Sequence, residues 1–158
     1  MSATVEFLLN KASAVQITDH LLCCDTDFVP PLSCRVEIRD YAKKIASKAT
    51  RFEAWSGGIP VGLVAAYCND QENRIAYITS VSVLKEWTHK GIAASLVGQC
   101  VEHAKVSGMR QISLAVAAEN TPAIKLYEKS GFIVSKANGP FVGMNLYLKS
   151  GEEYEQQA

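Results

Sequence analysis

Two stretches of the chain hold residues whose types and order suit chemistry on a charged ligand. The first is Val81-Ser82-Val83-Leu84-Lys85-Glu86-Trp87-Thr88-His89-Lys90-Gly91-Ile92-Ala93-Ala94-Ser95, where a strand pattern passes through a short loop into a helical one. The first turn of a helix presents unpaired amide N–H groups and the positive end of its dipole. Gly91, Ala93 and Ala94 leave those amides open and Lys90 adds a cation, so the stretch suits a phosphate-sized anion. The same residues also describe an ordinary helix start, with Gly91 for tight packing, and spacing alone does not separate the two. Neither GxxxxGK[ST] nor GxGxxG occurs here.

The second stretch is Glu119-Asn120-Thr121-Pro122-Ala123-Ile124-Lys125-Leu126-Tyr127-Glu128-Lys129-Ser130-Gly131-Phe132. Asn120 or Thr121 suits a helix cap, and Pro122 suits a first helical position. Tyr127 falls one turn beyond Ala123 and Ile124. A tyrosine there is usually core with its hydroxyl at the rim.

The elements that must position these residues follow from periodicity. Val5 to Leu9 is a short strand candidate. Lys11 to Cys24 reads as an amphipathic helix through Ala14, Ile17, Leu21 and Leu22. Pro30-Pro31 breaks the chain, and a second helix carries Ile38, Tyr41, Ala42, Ile45 and Ala49, with Ser33 or the residues just after it as candidate cap. Arg51 to Ser56, Ile59 to Cys68 and Arg74 to Val83 form a three-strand meander, turned by Gly57-Gly58 and by 69–73. In the third strand Ile75, Tyr77, Thr79, Val81 and Val83 are expected on one face. A long helix ends near Gly108, Gln111 to Val116 is a strand, and a short helix runs from Thr121 to Ser130. Phe141 to Leu148 is the last strand. The order of strand, two helices, meander, helix, strand, helix, strand implies an α+β or mixed α/β fold.

Composition narrows the function classes. With 158 residues, the chain matches one domain of roughly 150 residues, placed at 1–150, with a polar acidic tail at 151–158 expected to fray. Its 16 basic and 16 acidic residues give zero formal net charge, which argues against bulk nucleic-acid binding. Five cysteines without CxxC spacing suggest neither a disulfide framework nor a zinc site, and no metal is expected. No apolar run reaches membrane-spanning length and the start lacks a leader pattern, so the expected location is the cytoplasm.

Taken together, the two stretches resemble the GNAT superfamily of acetyl-coenzyme A-dependent N-acetyltransferases, over about Arg74 to Leu148. The family's pyrophosphate loop, Gln/Arg-x-x-Gly-x-Gly/Ala, falls on Thr88-His89-Lys90-Gly91-Ile92-Ala93. Its second signature, Asn-x-x-Ala-x-x-x-Tyr-x-x-x-Gly-Phe, matches Asn120, Ala123, Tyr127, Gly131 and Phe132. The resemblance implies a mixed, mostly antiparallel sheet splayed between two parallel strands and flanked by about four helices. It implies that pantetheine lies in the gap, its amides paired with backbone groups at Val81 and Val83, with Ser82 between them in the cofactor site. The pyrophosphate would sit on Thr88, His89, Lys90, Gly91, Ile92, Ala93 and Ala94, and Asn120 and Tyr127 would complete the cofactor site. A backbone N–H near Val81 would stabilise the oxyanion, and Tyr127 would act as general acid to the leaving thiolate. Thr88 departs from the family's Gln or Arg, so that contact is lost or passes to His89 or Lys90.

No general base is evident: Tyr77, Thr79 and Ser80 occupy the strand where some relatives place a carboxylate, and Asp27 and Glu37 are only candidates. Acceptor specificity is expected from Asp25 to Tyr41, with Phe28 as an apolar wall, Arg35 meeting an anionic group and Glu37 a cationic one. A packed connector explains the same residues. The stretch is similar to that of GNAT proteins of surface-polysaccharide synthesis, which implies a small-molecule amine acceptor of the amino-sugar kind. The alternatives are an acyl-coenzyme A-binding or sensor module with little turnover, and a protein-directed acetyltransferase. The last strand and tail are candidates for pairing in a homodimer.

Overall fold

A computed structural model describes residues 4–148, so the tail expected to fray at 151–158 lies outside the described residues. Its elements are β1 (Glu6–Leu9), α1 (Ala14–Cys24), α2 (Ile38–Lys48), β2 (Thr50–Ser56), β3 (Ile59–Tyr67), β4 (Ile75–Val83), α3 (Ile92–Val106), β5 (Gln111–Ala117), α4 (Thr121–Lys129), β6 (Ile133–Asn138) and β7 (Phe141–Tyr147). The seven strands form one sheet in the order β1-β2-β3-β4-β5-β7-β6. Every neighbouring pair is antiparallel except β4 and β5. This is the expected mixed α+β sheet with four helices.

The strand Ile133–Asn138 is absent from the sequence reading. All six of its residues are exposed and it pairs only with β7, so no apolar alternation marks it. Edge strands with little to bury are held by their ladder, which composition does not reveal.

Each face of the sheet buries its own apolar cluster. Ile17, Leu21, Ile38, Ala42 and Ile45 of α1 and α2 pack on Leu63 and Ala65 of β3. On the other face Leu96, Val97, Cys100 and Ala104 of α3 meet Val64, Ile112 and Met144, together with Tyr127 and Phe132. Gly62 marks the closest approach there. A Cβ at that position would stand 2.8 Å from Cγ2 of Ile92, so glycine lets the first turn of α3 lie directly on β3.

A buried ion pair fixes where α1 begins. Glu53 is fully buried and pairs with Arg51 at 3.2 Å. Its carboxylate also accepts from the Lys11 and Ala12 amides and from Trp55 Nε1, at 3.0–3.1 Å. Arg51 donates in turn to the carbonyls of Ala46 and Ala12. A buried pair this fully bonded ties the ends of both helices to β2. With the Lys11 and Ala12 amides so engaged, α1 starts at Ala14 rather than Lys11, behind a reciprocal cap between Ser13 and Gln16. The cap of α2 also departs from expectation. Ser33 bonds Asp25 instead, and Glu37 caps the helix by accepting from the Arg39 and Asp40 amides. Among the described residues no helix is long and apolar enough to cross a membrane.

Candidate active site

β4 and β5 pair over only three residues, Ile75 with Gln111, Ala76 with Ile112 and Tyr77 with Ser113. Beyond that point β4 stays with β3 as far as Val83, while β5 stays with β7 as far as Ala117. The two parallel strands therefore fork. A bulge lies just past the fork point: Ala65 faces Ser80 while Ala66 faces Ile78, which leaves Thr79 as the extra residue. Bulges bend a strand and re-aim its side chains. Ala76 and Ile78 face the α3 side before the bulge, and Val81 and Val83 face it afterwards. Tyr77 is exposed, so the single face expected from Ile75 to Val83 is split in two.

Tyr41 of α2 holds the bulge. Its hydroxyl donates to the Thr79 carbonyl at 2.7 Å and lies 2.7 Å from Thr79 Oγ1. Burial raises its pKa above the ordinary phenol value. The sequence places Tyr41 on an apolar helix stripe, at the end of the stretch expected to choose the acceptor; spacing gives no hint of a partner 38 residues away.

Between the diverging strands lies a cavity of about 250 Å³, lined by Val81, Leu114, Val116, Asn120 and Tyr127 and, from the segment before α2, by Phe28 and Arg35. Tyr127 is buried, with its ring edge-on to Phe132 at a centroid distance of 6.0 Å. Its hydroxyl has no hydrogen-bond partner among the described residues, and burial pushes its pKa up to about 12. The group thus stays protonated at any ordinary pH, as a proton donor must. Asn120 caps α4 by accepting from the Ala123 amide at 3.3 Å. Ser80 Oγ is buried without a partner among the described residues.

The start of α3 lies at the open end of the fork. Gly62 pairs with Val83 at the end of β4 and carries Ile92 on its surface. Gly91, at φ +79°, precedes the helix without any side-chain cap, and the first bond onto its carbonyl comes from the Ser95 amide. The amides of Ile92, Ala93 and Ala94 therefore lack helical partners. Open space surrounds Gly91, and His89 and Lys90 are exposed beside it. Thr88 gives its hydroxyl proton to the Lys85 carbonyl at 2.7 Å.

Three expected site residues turn their side chains elsewhere, although the pairing expected of β4 runs through its backbone and does not depend on where those side chains point. Ser82 turns to the opposite face, where its hydroxyl lies 2.8 Å from His20 Nε2. Val83 packs into the core beside α3. Glu37 does not line the cavity, because its carboxylate is held by the α2 amides; the carboxylate that does line it is Asp27. Phe141, which packs under Arg35, was not anticipated as a site residue; its strand pattern marks only core.

The sequence model of the Acetyltransferase (GNAT) family matches residues 15–132. An uncharacterised N-acetyltransferase of Methanocaldococcus jannaschii is 35% identical over 48% of this chain and 35% of its own length. The chain spans less than half the length of the curated relatives it matches. Among solved structures, the PaiA N-acetyltransferase of Thermoplasma acidophilum in complex with coenzyme A superposes with a TM-score of 0.71 at 16% identity, over 92% of this chain and 99% of that one. A Bacillus subtilis acetyltransferase in complex with coenzyme A gives 0.71 at 18% identity, over 92% and 100%. At such identities the likeness is one of fold. With the family match covering most of its length, the chain belongs to the GNAT acetyltransferase family.

Proposed function

We propose that the protein is an N-acetyltransferase that moves an acetyl group from acetyl-coenzyme A to a primary amine of a small molecule. The observation that supports this best is the fork itself, a cavity between parallel strands with a protonated phenol in its wall and a bare helix start at its mouth. The residues present fit the coenzyme. Unpaired amides at Ile92, Ala93 and Ala94 suit a pyrophosphate, Lys90 supplies charge, and strand edges freed by the fork suit an extended amide-bearing arm. Thr88, its proton held by Lys85, leaves the phosphate contact to its neighbours.

The coenzyme supplies an activated thioester. The amine forms the new C–N bond at its carbonyl carbon, and a backbone N–H near Val81 is the proposed donor to the oxygen that gains charge. As the C–S bond breaks, the Tyr127 hydroxyl gives its proton to the departing sulfur. The amine's surplus proton leaves to solvent, from which Tyr127 regains its own, since among the described residues the cavity wall offers no carboxylate apart from Asp27. The same absence favours a second reading, a module that holds acyl-coenzyme A with little turnover. The amino-sugar acceptor and the cytoplasmic setting are expected from the sequence, and the geometry singles out neither.

Acetyl-coenzyme A at 100 times its Kd should stabilise the fold by about 2.7 kcal/mol, read as a melting shift. Thiol release should follow only when an amine is added. A shift without release for any amine selects the binding module, and no shift at millimolar ligand refutes both.

A further inference from the structure

Among the described residues only two charged side chains line the cavity, Asp27 and Arg35, and both come from the segment that joins α1 to α2. Arg35 is fixed at its backbone, where its amide donates to the Leu32 carbonyl at 2.9 Å. Its guanidinium carbon lies 5.0 Å from the centroid of Phe141, the residue that opens β7 and faces Ala117 at the end of β5. Stacking on an aromatic face leaves the N–H edges of a guanidinium free.

Among the described residues no carboxylate pairs with Arg35; the ion pairs found are Arg51 with Glu53 and Lys105 with Glu102. The nearby acids have other work. Asp25 holds Ser33, and Glu37 caps α2. An oriented guanidinium with five donors thus stands over the cavity without an anion. Its fork geometry matches a carboxylate through two parallel bonds. A single cation beside Asp27, with no lysine in the lining, is poorly matched to a diphosphate, which carries more charge than one guanidinium offsets.

Resting on the acetyltransferase reading, we propose that the acceptor is a small aminocarboxylic acid, its carboxylate received by Arg35 while its amine points into the fork. Phe28, Tyr41, Tyr77 and Phe141 give that cavity an aromatic wall for the acceptor's carbon skeleton. Asp27 attracts the amine while it is still an ammonium ion, before the proton is lost to solvent.

The test compares acceptors that differ only in the anionic group. Initial rates of thiol release are measured for lysine against cadaverine and phenylalanine against phenethylamine, with glucosamine and glucosamine 6-phosphate as the other chemistries. Removal of the carboxylate should raise KM about tenfold or more, the scale of a charge-assisted bidentate contact. Arg35→Gln should bring the acid-to-amine ratio near one, with Arg35→Lys between. Arg39→Gln, an exposed arginine on α2 outside the cavity, should keep the ratio. Equal use of acids and amines by the unmodified enzyme, a ratio insensitive to Arg35→Gln, or preference for the phosphorylated sugar overturns the proposal and leaves the acetyltransferase reading standing. Failure of every amine to release thiol overturns both.

Discussion

The two sides of the fork are built from different material. On the α3 side the useful groups are backbone: bare amides at Ile92 to Ala94, a left-handed Gly91, and a helix seated on β3 because Gly62 has no side chain. Across the opening, on α2 and the segment before it, the useful groups are side chains: Phe28, Arg35 and Tyr41. A backbone-built surface tolerates most substitutions but requires small residues at fixed spacing, so it leaves a motif. A side-chain-built surface can be assembled in many ways, and leaves none. On the proposed function, one side would serve a ligand shared across a family, while the other would be free to choose its own.

The largest effect should come from Tyr127, where the two sides meet. Tyr127→Phe keeps the ring against Phe132 and removes only the hydroxyl. As proposed acid it should lose about 100-fold or more in kcat, within the range of general acid catalysis. The coenzyme-induced melting shift should change little, because on the proposed function backbone amides hold the coenzyme and the hydroxyl has no hydrogen-bond partner among the described residues. Equal turnover would remove Tyr127 from the reaction. The pKa of about 12 adds a second check. Rates should climb with pH as the amine loses its proton, with no descending limb from this phenol below about pH 11.

Gly62→Ala tests the backbone side directly. The new Cβ would press on Ile92 Cγ2 at 2.8 Å and on Leu96 Cδ1 at 3.2 Å, two well-buried side chains. Overpacking of this kind costs about 1–3 kcal/mol, measurable by denaturant titration. The first turn of α3 must lift, so KM for the coenzyme should rise while the acid-to-amine preference stays. A change confined to acceptor selectivity would mean that the two sides are not separable.

The same contrast explains what the sequence made legible. The Asn120 cap and the Gly91 helix start were both readable because local chemistry dictates them. Tyr127 is read as core from spacing alone, and its place in the cavity wall follows only from the fork. The bulge at Thr79 was not readable. It depends on how β4 registers against β3, and its effect is to turn Ser82 away from the site and bring Val81 into it. Glu37 illustrates the other failure. An acidic residue near a cleft and an acidic helix cap look alike in sequence, and only the Arg39 and Asp40 amides decide between them. Edge strand β6 escaped because it buries nothing.

The smallest expected effect lies behind the fork, on the α1 side of β4. His20 is buried with Nδ1 3.3 Å from the Pro60 carbonyl and Nε2 2.8 Å from Ser82 Oγ. A carbonyl only accepts, so Nδ1 carries the proton and Nε2 accepts from the serine. Burial lowers the pKa of this ring, whereas in the unfolded chain it titrates near the ordinary histidine value of about 6.5. Below that pH the unfolded state binds the additional proton first, so stability falls as pH falls from 6.5 toward the folded value. Cys24 and Ser82, the groups beside the ring, offer no carboxylate to reverse the sign. Melting curves between pH 8 and pH 5 should show a loss on acidification that shrinks by a few degrees in His20→Gln, whose amide cannot take up a proton. An unchanged slope would assign the acid sensitivity to other groups. A smaller slope, with coenzyme affinity intact at pH 7.5, would place the tie between α1 and β4 on the acceptor side of the division.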